Sequence, residues 1–236
     1  MINEFDEIIK TYERVVLNIE LQAKESQQRA FGGVIRGEKG KLVERLGKQL
    51  IEIAWHRLPI KEREKFDFDI IGCEFNIPMK RNYIDKIKNK EVKRYIEKNF
   101  KRYYYSYKPD VVVFLNQQPV LAVECKAYTE NAMFKRILVD CSLLKMLYPR
   151  IKVALLQLES QLGGDYSSLN DLTYGSPSTH TLLSYFDIDL HIITLLKGER
   201  KVREPIHQTD FFKPLTELSL QRATTEFEQI FYEILS

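Results

Sequence analysis

Lys108-Pro109-Asp110-Val111-Val112-Val113-Phe114-Leu115, Asn116-Gln117-Gln118-Pro119 and Val120-Leu121-Ala122-Val123-Glu124-Cys125-Lys126 follow one another in the middle of the chain. Two runs rich in Val and Leu, each about as long as an ordinary strand, flank a short polar turn. That pattern predicts a hairpin buried in a sheet. Three charges interrupt the burial: Asp110 at the entry, Glu124 and Lys126 at the exit. An ionised group in a core strand is costly unless it is paired or binds a metal. Side chains alternate along a strand, so Glu124 and Lys126 share one face while Leu121, Val123 and Cys125 take the other. Residues directly opposite in an antiparallel pair point to the same face. A three-residue loop would set Asp110 opposite Glu124, and a five-residue loop would set it opposite Lys126. A regular four-residue loop would set it opposite Cys125, on the wrong face. An odd loop or a β-bulge is therefore predicted.

Pro109-Asp110, a gap of thirteen residues, and Glu124-Cys125-Lys126 resemble the signature of the PD-(D/E)xK nuclease superfamily. In size and layout the chain is similar to the type II restriction endonucleases. The resemblance implies an α/β fold with a restriction-endonuclease-like core over residues 40–160, a mixed β-sheet flanked by helices. It implies Mg²⁺ held by Asp110, Glu124 and the backbone carbonyl of Cys125. Lys126 would either activate the attacking water or stabilise charge building on the phosphate. In such nucleases a glutamate on a helix before the core often approaches the metal. Glu44 is the best match by position, although a solvated helix carboxylate is the reading its sequence context favours. The implied substrate is double-stranded DNA, cut to leave 5′-phosphate and 3′-hydroxyl ends, and the implied assembly is a homodimer. A repair or structure-specific nuclease of the same fold is the first alternative. A DNA-binding protein without catalysis, in which the three charges merely satisfy one another, is the second.

After the hairpin, Phe134, Ile137, Leu138, Cys141, Leu144 and Tyr148 form the stripe of a helix that Thr129 can cap and Pro149 closes. Val153 to Leu158 reads as a buried strand, so a helix joins two strands and parallel pairing is allowed. Residues 160–186 are rich in Gly, Ser and Thr and read as a long loop with a short helix. With a strand from Ile188 to Leu196 they make 160–215 the candidate recognition region. Gln161, Asn170, Asp171, Ser176, Ser178, Thr179 and His180 carry the groups that read base edges, which are also ordinary loop composition. Leu215 to Leu235 is a closing helix.

Before the hairpin, Phe5, Ile8, Ile9, Tyr12, Val15, Val16, Ile19 and Leu21 predict an amphipathic helix over residues 3–29, for packing or dimer contact. Arg36-Gly37-Glu38-Lys39-Gly40-Lys41 reads as a basic loop, either a simple turn or one that touches a phosphate. Val43, Leu46, Leu50, Ile53 and Ala54 then line a second helix that reaches Leu58. Phe66 to Ile71 alternates as a strand, with Asp67 and Asp69 on its solvent side. From Lys80 to Lys108 eleven cations meet three carboxylates, a local +8 in a chain whose net charge is +3. Such a segment attracts a polyanion. The tyrosines that end it, Tyr103-Tyr104-Tyr105-Ser106-Tyr107, read as strand core and as hydroxyl donors to phosphate.

The composition, 44% hydrophobic and 29% charged over 236 residues, suits one soluble globular domain. No apolar run reaches the length of a membrane span, and no signal-peptide pattern opens the sequence. Cys73, Cys125 and Cys141 form no CxxC pair, which favours a reducing cytoplasm. His56, His180, His191 and His207 show no zinc or HExxH spacing, and neither GxSxG nor GxGxxG occurs. Trp55 is expected in the core.

Overall fold

The computed structural model describes residues 4–25, 31–169 and 173–236. Helix α1 (Asp6–Glu25) is followed by α2 (Phe31–Arg57) and the short α3 (Ile60–Arg63). Strands β1 (Phe68–Ile71) and β2 (Phe75–Ile77) precede α4 (Arg81–Asp85) and α5 (Lys90–Lys98). Next come β3 (Tyr105–Tyr107), β4 (Val111–Leu115), β5 (Gln118–Glu130), α6 (Asn131–Leu147) and β6 (Lys152–Gln161). The chain ends with α7 (Pro177–Tyr185), β7 (Leu190–Thr194) and α8 (Glu217–Leu235). The main sheet has the order β1-β4-β5-β6-β7. Its first three strands are antiparallel and its last three parallel, with α6 as the crossover from β5 to β6. This is the α/β arrangement expected, a mixed sheet with helices on both faces.

Strand alternation sorts the apolar side chains into two layers. Val111, Val113, Leu121, Val123 and Cys125 meet α1, α2 and α8, through residues such as Tyr12, Leu46, Leu50 and Phe227. Val112, Ala122, Val153 and Leu155 meet Phe134, Ile137, Leu138 and Leu144 of α6. Trp55 is buried and stacks on Phe68, with ring centroids 4.7 Å apart. Helix α2 comes close to the sheet because Gly47 has no side chain. A Cβ built there would lie 3.0 Å from Leu156 and 3.3 Å from the Cys125 sulfur.

Two local expectations change. Residues 36–41 are not a loop but the second and third turns of α2. Glycine costs about 1 kcal/mol in a helix interior, but packing outweighs propensity in a folded chain. Here Lys39, Leu42 and Val43 are all buried. Thr129 does not cap α6. It lies in β5, opposite Ser160 of β6, because β6 keeps offering backbone partners as far as Gln161. The residue preceding α6 is Glu130, which makes no side-chain cap.

The hairpin turns on Asn116 and Gln117 alone, both with positive φ (49° and 65°). That is the two-residue turn whose twist suits flanking strands. Val113 pairs with Leu121 but Phe114 with Pro119, so Val120 is an extra residue, a β-bulge. The bulge restores the parity predicted from the charges. Val111 sits opposite Val123, so Asp110, one residue earlier, comes level with Glu124.

Candidate active site

Asp110, Glu124 and Lys126 converge at the mouth of a cleft of about 380 Å³ between β3, β5 and α6. The Lys126 ammonium lies 2.7 Å from Asp110 Oδ2 and 2.5 Å from Glu124 Oε2. Beyond Val123, β5 has no partner in β4. The Asp110 carboxylate fills that place, because its Oδ2 accepts the backbone N–H of Cys125 at 2.7 Å. The cysteine's main chain is thereby fixed beside the carboxylate, while its sulfur faces α2 near Gly47. Burial pushes the Cys125 thiol well above its ordinary pKa, so the sulfur stays protonated and inert.

Burial alone would lower the pKa of Lys126, but the Glu124 and Asp110 carboxylates outweigh it and hold the pKa above its usual value. The side chain is an ammonium here. It sits between two carboxylate oxygens, where a small hard cation would find the ligands it prefers. The donor set is entirely oxygen, which suits Mg²⁺ and not a thiolate-seeking metal.

The Glu44 charge reaches the Cys125 thiol, but its side chain is committed within its own helix. It pairs with Lys48 at 2.8 Å one helical turn along α2 and does not line the cleft. Asp67 and Asp69 are exposed, as expected.

The cleft holds residues that the sequence did not single out for this purpose. The buried Tyr107 donates its hydroxyl to Glu124 Oε1 at 2.8 Å, so each oxygen of Glu124 has one partner. Burial and the Glu124 charge raise the Tyr107 pKa, keeping that hydroxyl a donor. From the same strand, Tyr105 donates to Asp140 Oδ1 of α6 at 2.6 Å, and Arg136 Nε lies 3.6 Å from Asp140 Oδ2. The Asp140 bond and burial together raise the Tyr105 pKa. The usable signal was the period of two in Tyr105-Ser106-Tyr107, which puts both rings on one side of a strand. Asp140 and Arg136, four residues apart on a helix, gave no such sign.

The region proposed for base reading is partly structural. Thr179 is buried and bonds Asn131 Oδ1 and the Leu162 carbonyl, each at 2.9 Å. Ser176 caps α7 through the N–H of Thr179. Gln161 accepts from Arg200, and His180 meets the Tyr174 carbonyl. Ser178 is exposed. Asn170 and Asp171 lie outside the described residues. Among the described residues no helix is long and apolar enough to cross a membrane.

No protein-family model matches the chain. Over 235 residues, 98% of this chain and 97% of its relative, it is 42% identical to the type II restriction enzyme DdeI of Desulfomicrobium norvegicum.

Proposed function

The chain belongs to the type II restriction enzymes, and from that premise we propose that Asp110, Glu124 and Lys126 form its phosphodiester-hydrolysing centre on double-stranded DNA. The observation that carries the proposal is the pair of contacts by which one ammonium bridges two carboxylates at the end of the bulged hairpin. Asp110, Glu124 and the Cys125 carbonyl would hold Mg²⁺. Bound there, the ion would supply a Lewis acid for the phosphoryl oxygen and lower the pKa of a water.

The protein's own groups do the rest. Asp110 is held by the Cys125 N–H and by Lys126 through Oδ2, which leaves Oδ1 uncommitted among the described residues. Tyr107 fixes the Glu124 carboxylate from behind, as outer partners of metal-binding carboxylates generally do. Lys126 presents its ammonium either to the attacking water or to the charge developing on the phosphate. Glu44, paired with Lys48, is assigned no part in this chemistry. The cationic segment from Lys80 to Lys108 ends at the cleft and supplies the attraction for the DNA backbone.

On this reading residues 1–236 work as a single nuclease domain. Its protein partner is a second copy of itself, since a two-fold symmetric dimer matches a two-fold symmetric site. The three free cysteines suit work in the reducing cytoplasm.

The test is digestion of long duplex DNA with and without Mg²⁺. Discrete fragments that appear only with the ion, and carry 5′-phosphates, are expected. Cutting confined to lesions or junctions would mean a repair nuclease. Intact DNA under every divalent ion, with salt-sensitive binding, would mean a protein without catalysis.

A further inference from the structure

A second cavity, of about 180 Å³, opens beside the continuation of β5 past Lys126, between α2 and the segment that follows β7. Lys39, Tyr128, Glu159, Arg200 and His207 line it. Lys39 is 91% buried, since only 9% of its surface is accessible, and its ammonium contacts His207 Nδ1 at 3.0 Å. Glu159 is the only carboxylate among the described residues lining the cavity, and Lys213 already neutralises it at 2.8 Å. The Arg200 guanidinium lies over the Tyr128 ring, 3.7 Å from its centroid, with one nitrogen bonded to Gln161. Stacking fixes the plane of that guanidinium before any ligand arrives.

Two cations, Lys39 and Arg200, thus line a cavity whose one carboxylate is already paired with Lys213. Burial pushes the Lys39 pKa down to about 8, with Arg200 adding to that and Glu159 opposing it. Such an excess of positive charge is what an oxyanion relieves. A planar guanidinium beside an ammonium matches a tetrahedral phosphate, the first by paired hydrogen bonds and the second as a point charge. Tyr128 is two residues from Lys126, about 7 Å along a strand, so the cavity neighbours the proposed centre of hydrolysis.

We propose that this cavity is an anion site that takes a backbone phosphate of the DNA other than the one being cut. The DNA half of this inference rests on the restriction-enzyme reading above. The anion half does not.

Two arms test it, each on the full-length wild type, Lys39→Met and Arg200→Gln. In the first, inorganic phosphate is titrated during thermal unfolding in the absence of DNA. The wild type is expected to gain several degrees, and both variants to gain less than a third of that. Equal gains in all three proteins would overturn the site. In the second, duplex affinity is measured in EDTA as salt is varied. The slope of log affinity against log salt is expected to fall by about 1 in each variant, as for one lost phosphate contact. Unchanged slopes beside a lost phosphate response would overturn the DNA assignment and leave a free-phosphate site. A wild type that binds no duplex would sink the restriction-enzyme reading itself, while the phosphate arm still judges the cavity. Should Lys39→Met fail to fold, Arg200→Gln, at a partly exposed position, decides both arms.

Discussion

Replacing Lys126 with alanine takes the bridging ammonium from between Asp110 and Glu124 and leaves two carboxylates facing one another. The side chains of Lys126, Asp110 and Glu124 are 28%, 33% and 10% exposed, so the cluster is neither a surface pair nor a fully buried one. Surface pairs contribute about 0–1 kcal/mol, whereas removing one partner of a buried pair costs about 3–5 kcal/mol. The intermediate exposure places the expected loss near 2 kcal/mol. In a chain of this size that lowers the melting temperature by about 4–8 °C. The loss should appear in EDTA and shrink when Mg²⁺ is added, because an ion held there would take the place of the lost positive charge between the two carboxylates. An ion at one hundred times its dissociation constant returns about 2.7 kcal/mol. The wild type, with its ammonium already in place, should gain less. Thermal unfolding of both proteins in EDTA and across a Mg²⁺ titration measures this, and plasmid cleavage run in parallel should show the variant inactive. A variant as stable as wild type in EDTA would refute the electrostatic account. A variant that loses stability without recovering any in Mg²⁺ would make the cluster a structural ion network and not a metal site.

Tyr107→Phe leaves one oxygen of Glu124 without its donor. We expect cleavage to fall about 10–100-fold and half-maximal activity to require more Mg²⁺, while a stability loss of about 1 kcal/mol leaves the fold intact by circular dichroism. Gln117→Gly relieves a left-handed backbone position (φ 65°) and should stabilise the protein by about 1 kcal/mol in denaturant titrations, with unchanged activity. Burial holds the Lys39 pKa near 8, against an ordinary value of 10.5. Between those pH values the folded chain binds fewer protons than the unfolded one, so its stability climbs as pH rises. Glu159, Arg200 and His207 face the same space, and Lys213 pairs with Glu159. Lys39→Met should therefore be more stable than wild type at pH 7, by about 2 kcal/mol after allowing for the lost contact to His207. The difference should close by about pH 10.5. A constant difference from pH 7 to 10.5 would show that the ammonium carries no burial cost.

The parts of the fold legible in the sequence are those set by periodicity and by the cost of burying charge. The Val-rich runs announced β4 and β5. The three charges at their ends demanded a parity that no regular four-residue loop could satisfy, and the bulge at Val120 supplies it. The stripe from Phe134 to Leu144 gave α6, and the strand after it paired parallel. What escaped notice depended on neighbours distant in sequence. Glycines in Arg36-Gly37-Glu38-Lys39-Gly40 suggest a loop until helix α1 and the sheet are present to pack against α2. Thr129 is a fine cap in isolation, but β6 extends far enough to draw it into a strand. The partnership of Tyr107 with Glu124 spans two separate sheets, and no local pattern encodes it.

The extra residue in the hairpin gives this protein a point at which chemistry and architecture come apart. With the same two-residue turn and Val120 paired in regular register, Asp110 would come level with Val123 and point toward Leu46 and Leu50 instead of Glu124. A one-residue slip of that kind would part Asp110 from Glu124 and Lys126 while sparing the β5–β6 ladder and the cationic segment. On the proposed assignment, a chain slipped in that way would still grip its nucleic acid and leave every bond in it whole.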